Sequence, residues 1–213
     1  MAKRAKQPRP ARLSGIDRRK SILLAAKEIF LAEGYARTTM RRIAGALGIT
    51  PTTLYLHFPD KDALMQAICD EAFAKLGAAM ARATQNAADP FAAFKGVFDA
   101  YIEFGLAHPR EYRLVFMTEP PPGASAHRPG IGRDYDPNDR GAQAFAGFEA
   151  LVRRLIANGV FRDGDPAILA EAAWAGVHGL VALLIDMPHY PEAQRAKLAD
   201  EVARMIAEGL VKR

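Results

Sequence analysis

An all-α fold of about nine helices follows from three features of this 213-residue chain. Apolar residues recur at three- and four-residue intervals along most of it, the spacing that stripes one face of a helix. No stretch alternates apolar and polar residues with the β-branched enrichment of a strand. Glycines and prolines fall where one periodic segment ends and the next begins.

The first helix starts near Ile16. Ile22, Ala26, Ile29 and Phe30 share a face, and Gly34 stops it. Thr38 or Thr39 caps a short second helix carrying Met40, Ile43, Ala44 and Leu47, which Gly48 ends. Thr50 caps a third, with Pro51 at its first position, where a missing N–H costs nothing. Pro59 ends that helix, and Asp60 caps a long fourth with Leu64, Ile68, Ala72 and Leu76 on one face. After a break at Asn86–Pro90, helices are predicted over about Phe91–Ala107 and Arg110–Met117, split by Pro109. Glu119–Arg140 is rich in proline and glycine and nearly free of apolar residues, which predicts a long mobile loop. Helix returns over Gly141–Ala157, ends at Gly159, and resumes from Pro166 to Met187. Pro188 and Pro191 turn the chain into a last helix, about Glu192–Val211.

The formal charge of +5 divides unevenly. Residues 1–60 hold 12 Lys/Arg against 4 Asp/Glu, and residues 61–213 hold 17 against 20. A basic head on an acidic body is the footprint of a protein that meets a polyanion at one end, nucleic acid first. Residues 1–15 carry five of those cations and a single leucine, too little apolar surface to offset ordering, so a disordered basic arm is expected. Cys69 stands alone, which excludes an internal disulfide or a cysteine zinc cage. No run of about 18 apolar residues predicts a membrane span, and the basic N-terminus has no apolar core after it to make a signal peptide. A cytoplasmic protein is expected. No period of 20–50 residues repeats.

Function is carried by Met40–Phe58, MRRIAGALGITPTTLYLHF. Ala44 lets two helices cross closely, Gly48 permits a left-handed turn, and Leu54 plugs the inner side of the second helix. That is the spacing of a helix-turn-helix, whose second helix enters the major groove with its first residues near base edges. Those residues are Thr50, Pro51, Thr52 and Thr53, suited to modest base contacts such as thymine methyls. This helix has no arginine or lysine. Arg41 and Arg42 on the preceding helix are the long-armed candidates, for a phosphate first and, for one of them, a base second.

The first 76 residues resemble the DNA-binding domain of the TetR family of bacterial regulators. The resemblance rests on RRKSILLAAKEIFLAEGY, then TTMRRIAGALGIT, then LYLHFPDKDAL, in that order. It implies domains at 16–76 (DNA binding) and 77–213 (effector binding and dimerisation). It implies phosphate contacts by Tyr55, His57 and Thr39, with Thr38 beside it. Lys61 in the first turn of the fourth helix would add charge where backbone N–H groups already favour a phosphate.

The body is rich in rings. Phe94, Phe98 and Tyr101 lie at i, i+4 and i+7, and Phe116, Phe145, Phe148 and Trp174 follow. Singly each reads as core; as a set they could line a cavity between helices for a small, largely apolar effector. Trp174, His178 and Gly179 resemble the tryptophan-histidine-glycine signature of one TetR subclass. Gly176 and Gly179 inside a helix point to close helix approach, and no facing group for His178 can be named. Val177, Leu180, Val181 and Leu184 form one stripe, and Leu198, Val202, Met205 and Ile206 another. The resemblance implies a two-fold homodimer built on these last two helices. It also implies a palindromic double-stranded operator, release by effector, and repression as the default.

Rival chemistry finds no support in the sequence. Asp134, Asp136 and Asp139 lack the EF-hand pattern, and the five histidines make no zinc spacing. There is no phosphate-cradling glycine loop and no nucleophile elbow. No enzyme, cofactor or metal is expected. A non-sequence-specific DNA binder using the same basic end is the alternative.

Overall fold

The computed structural model describes residues 15–118 and 140–212. The expected basic arm, apart from Gly15, and the loop ahead of Arg140 lie outside them. Among the described residues there are nine α-helices: α1 (Gly15–Glu33), α2 (Met40–Ala46), α3 (Pro51–Tyr55), α4 (Lys61–Gln85), α5 (Pro90–Ala107), α6 (Pro109–Tyr112), α7 (Arg140–Ala157), α8 (Pro166–Asp186) and α9 (Glu192–Leu210). A π-helical turn, Arg113–Met117, follows α6. One isolated β-bridge, Phe161 to Val211, is the extended pairing they show.

Side-chain caps set several of the starts. Thr39 accepts from the Arg42 N–H at 3.1 Å, Thr50 from Thr53 at 3.2 Å, Asp60 from Ala63 at 2.7 Å and Asp89 from Ala92 at 2.8 Å. Each such cap contributes about 1 kcal/mol. At the other ends, Gly34, Gly48 and Gly159 take φ of 83°, 62° and 69°. These left-handed turns follow α1, α2 and α7 and need a residue without Cβ.

By its internal contacts the chain divides into two compact units, one up to Met65 and one from Gln66, with the division inside α4. In the first unit, Ile22, Phe30, Ile43, Leu54, Phe58 and Leu64 are fully buried. The Arg19 guanidinium stacks over the Phe58 ring, 4.5 Å from its centre. A clamp closes the turn after α1 on the start of α4. The Tyr35 hydroxyl donates to the Asp62 carboxylate. The Lys61 ammonium donates to the Tyr35 carbonyl at 2.9 Å and lies 4.1 Å from the centre of the Tyr35 ring. The third helix is shorter than Pro59 implied: the Leu54 carbonyl accepts from both His57 and Phe58, and that turn ends α3 at Tyr55.

In the second unit α8 packs on α5, α7 and α9. Gly105 of α5 sits where a Cβ would fall 2.3 Å from Val181 Cγ1, and a Cβ on Gly176 would fall 2.7 Å from Ile206 Cδ1. These two glycines let α8 approach its neighbours; Gly179 faces open space instead. The Phe94 ring lies 4.6 Å from that of Phe98, stacks on Phe148 at 5.8 Å and meets Phe161 edge to face at 5.0 Å, centre to centre. The C-terminus is strapped back, Arg162 N–H to the Leu210 carbonyl at 2.7 Å and Lys212 N–H to the Val160 carbonyl at 3.0 Å.

Two expectations are corrected here. Val177, Leu180, Val181 and Leu184 are buried within the single chain, because this stripe faces α5 and α7. They cannot form a face for a second copy. The large apolar residues left exposed on α8 and at its C-cap are Ile168, Leu183 and Met187. On α9, Met205 is 61% exposed, and Leu198, Val202 and Ile206 are partly covered. Secondly, α8 is long and apolar enough to cross a membrane by length and composition. Its Leu169, Ala170, Ala173 and Val177 are instead core residues of the second unit.

Candidate functional site

The α2–turn–α3 pair is built to present the outer side of α3. Leu54 is turned wholly inward, while Pro51 and Thr52 are exposed and Tyr55 is 51% exposed. The Thr50 and Thr53 hydroxyls hydrogen-bond each other at 2.9 Å, so the capping pair is tied locally and Thr52 offers the least committed hydroxyl. Arg41 is exposed on α2, and His57 is partly exposed after α3.

Three of the expected contact residues are engaged internally. Thr38 is 1% exposed and its hydroxyl donates to the Gly34 carbonyl at 2.8 Å, closing the turn after α1. A buried, bonded hydroxyl cannot reach a phosphate, so Thr38 is removed from the interface. Arg42 Nε and Nη2 both reach Glu33 Oε1, at 2.9 and 2.5 Å. Lys61 is committed to Tyr35 as described. Thr39 remains exposed while capping α2. Leu56, beside Tyr55, is 81% exposed. Its exposure is not legible in the sequence, where an apolar residue in a helical run reads as core.

The expected effector residues do not share one cavity. Phe94 and Phe98 line a groove of about 600 Å³ between α5 and α9. Phe148 lines a second, of about 500 Å³, walled by α4, α5 and α7. Its lining is mostly small and apolar, including Ala74, Gly77, Ala81, Ala144 and Gly147; Thr84, Gln85 and Gln143 add neutral polar groups, and its one charged lining side chain among the described residues is Arg140. Tyr101, Phe116, Phe145, Phe148 and Trp174 surround a cavity of only about 30 Å³, room for about one or two water molecules. Their rings fill the space on each other.

His178 belongs to a buried polar chain rather than to an open cavity. Trp174 Nε1 donates to the Tyr101 hydroxyl at 3.1 Å. The Tyr101 and Tyr112 hydroxyls are 3.0 Å apart, and Tyr112 lies 2.5 Å from His178 Nδ1. Indole N–H only donates, so the order that uses every proton runs Trp174 to Tyr101 to Tyr112 to His178 Nδ1, with Nδ1 accepting. Tyr112 is thus the facing group of His178; 66 residues apart, the two carry no shared sequence signal.

Burial raises the Tyr101 and Tyr112 hydroxyls well above the ordinary tyrosine range. Tyr35 is raised too, by burial first and then by its bond to Asp62. A raised folded pKa means that the unfolded chain ionises first, so this contribution is complete below about pH 10 and is lost as pH rises beyond it. Of the six tyrosines, these three are expected to show no tyrosinate absorbance near 295 nm until the protein unfolds in alkali. A smooth titration of all six near pH 10 in the folded state would refute their enclosure.

An exposed short helix held at a fixed turn on a partner helix, joined to a larger helical unit with grooves, defines a helix-turn-helix regulator. Comparison with known proteins agrees. Residues 22–68 match the model of bacterial regulatory proteins of the tetR family, and residues 94–208 match a tetracyclin repressor-like C-terminal domain. The chain therefore belongs to the TetR family of transcription regulators, not to an enzyme family. It is 30% identical over 130 residues to the HTH-type transcriptional activator FasR of Mycolicibacterium smegmatis, and that match spans 56% of this chain and 59% of the relative's length. Solved structures share the fold. A putative tetR family regulator from Shewanella sp. PV-4 has a TM-score of 0.70 at 17% identity, covering 92% of this chain and 98% of that one. The ketosteroid transcriptional regulator KstR2 of Mycobacterium tuberculosis has 0.63 at 22%, covering 92% and 96%. The fatty acid degradation regulator FadR of Bacillus halodurans has 0.67 at 16%, covering 95% and 100%.

Proposed function

We propose that this protein is a homodimeric regulator that binds a palindromic operator and is released from it by a small, largely apolar effector. The groove walled by α4, α5 and α7 carries this reading. It is large enough for such a molecule, its walls are mostly alanine, glycine and phenylalanine with Thr84, Gln85 and Gln143 among them, and Arg140 stands at it to receive an acidic head group. Structural neighbours described as a ketosteroid transcriptional regulator and a fatty acid degradation regulator favour an effector of this chemistry. Repression follows where the operator overlaps a promoter.

In this reading Thr52, Pro51 and Tyr55 meet the DNA, with Thr39, Arg41, His57 and the Thr50–Thr53 pair around them. Residues of α4 line the groove, and the same helix begins at the Tyr35 clamp. Displacing α4 therefore alters the head. Such coupling requires the effector to bind the two states with different affinity. The second copy docks on the exposed side of α8, at Ile168, Leu183 and Met187, with Met205 and its neighbours on α9. Gly179, open on the same helix, leaves room for a close crossing. Trp174, His178 and Gly179 support reading the second unit as one of the tryptophan-histidine-glycine subclass.

The test compares a palindromic operator with scrambled DNA at one stated salt concentration. The operator is expected to bind about 10³-fold more tightly or better, and an apolar carboxylic acid is expected to dissolve that complex. Leu183→Glu should yield a monomer that binds the operator poorly. Equal binding of both DNAs would leave only a non-specific DNA binder. A dimeric Leu183→Glu would move the interface elsewhere.

A further inference from the structure

The turn that joins α1 to α2 holds one arginine in the open by burying what stands on either side of it. Tyr35 is 8% exposed and Thr38 1%, while Ala36 and Arg37 between them are exposed. Both anchors are bonded. The Thr38 N–H donates to the Tyr35 carbonyl at 3.2 Å, and the Thr38 hydroxyl to the Gly34 carbonyl at 2.8 Å. The Tyr35 hydroxyl is held by Asp62. The backbone of Arg37 therefore has little freedom, and its side chain is left outside the core.

The side chain is itself half fixed. Arg37 Nε donates at 2.7 Å to the carbonyl of Glu33, the last residue of α1. That bond lays the stem across the turn and uses one of the five guanidinium N–H groups. Among the described residues the other four have no acceptor, and the charge has no carboxylate partner. Other cations of the head differ. Arg42 Nε and Nη2 are on Glu33 Oε1, Lys61 Nζ is on the Tyr35 carbonyl, and the Arg19 guanidinium lies over Phe58. Glu33 thus sorts two arginines. Its carboxylate neutralises Arg42, and its carbonyl orients Arg37 without neutralising it.

A planar fork that keeps its full charge matches a phosphate, which accepts two parallel N–H bonds. Its place on the chain agrees. Thr39, two residues on, is the exposed N-cap of α2, and two residues span at most about 7 Å. A DNA strand that meets Thr39 runs within reach of the Arg37 fork. A stem already laid down also has less to lose in ordering when DNA arrives.

We infer that Arg37 is a DNA-backbone contact, its guanidinium taking a phosphate of the strand at Thr39. It fills the role that Arg42 would have if Glu33 did not hold it. The inference rests on the α2–α3 pair being the DNA face, and adds to that face a contact from the turn that precedes both helices.

Salt titration of the full chain tests it, read by fluorescence anisotropy on two duplexes. One is a palindrome selected by the wild-type protein from a random library, and the other is its scrambled sequence. Arg37→Ala is expected to weaken binding to both by a similar factor. It should also make the decline of log K with log salt concentration shallower by about 0.9 for each copy of the chain bound. Arg37→Lys keeps the charge without the fork and should restore most of that slope. Arg42→Ala should change the slope less than half as much. A melting temperature shared with the wild type shows that each variant is folded. An Arg37→Ala slope equal to that of the wild type would overturn the inference. So would a loss confined to the palindrome, which would make Arg37 a base reader, or a lost slope that lysine does not restore, which would make the side chain a brace of the turn. An equal change in Arg37→Ala and Arg42→Ala would overturn the sorting by Glu33. Equal wild-type affinity for the two duplexes would sink the operator reading alone, since the Arg37 slope is measured on either.

Discussion

Replacing Tyr112 by alanine is expected to cost about 3–5 kcal/mol of folding stability, the range for removing a buried aromatic ring. Tyr112 is fully buried, and its ring lies 4.7 Å from Phe116 and 5.5 Å from His178, centre to centre. The loss would open a void beside α5 and remove the donor to His178. Tyr112→Phe separates the two effects. It keeps the ring, and Tyr101 remains 3.2 Å from His178 Nδ1 as a substitute donor. Its cost should therefore stay near about 1–2 kcal/mol, that of a disturbed buried hydrogen bond. Urea unfolding of both variants measures the difference. A phenylalanine variant as unstable as the alanine one would mean that the hydroxyl chain, not packing, holds this region.

Gly105→Ala is expected to destabilise although alanine is the better helix former by about 1 kcal/mol. The new methyl would meet Val181 Cγ1 at 2.3 Å and the Tyr112 ring at 3.2 Å. Val181 is buried and β-branched, so α5 and α8 must part, at a net cost of about 1–3 kcal/mol. Val181→Ala alone should also destabilise, by leaving a hole. The double variant should recover part of the sum, with a coupling of about 1 kcal/mol or more. Thermal unfolding of the four proteins closes the cycle. Additive losses would show that the two helices do not cross at this point.

What was legible in the sequence was what is local. Thr39, Thr50 and Asp60 cap helices because a cap is read over three residues, and Gly34, Gly48 and Gly159 end them for reasons visible in one. What was not legible depends on which side of a helix meets which neighbour. α8 is apolar nearly all round, so periodicity could not tell the stripe facing α5 from the one left open: Val177 is buried and Leu183 is exposed. Thr38 and Thr39 are adjacent and chemically alike, and only the fold buries one of them. The rings of α5 were expected to share a cavity. They divide because Phe94 and Phe98 flank α9, while Tyr101 lies with Tyr112 and Trp174. Arg140 borders a segment with no periodicity to place it.

The pairing of Arg42 with Glu33, and of Lys61 with the Tyr35 carbonyl, bears on how DNA affinity responds to salt. Each phosphate that a cation neutralises releases condensed counterions and steepens the decline of log K with log salt concentration by about 0.9. A guanidinium that stays on its carboxylate releases none. The structured head should thus lose less affinity at high ionic strength than its number of cations implies, leaving a larger share of its binding to contacts that salt does not screen.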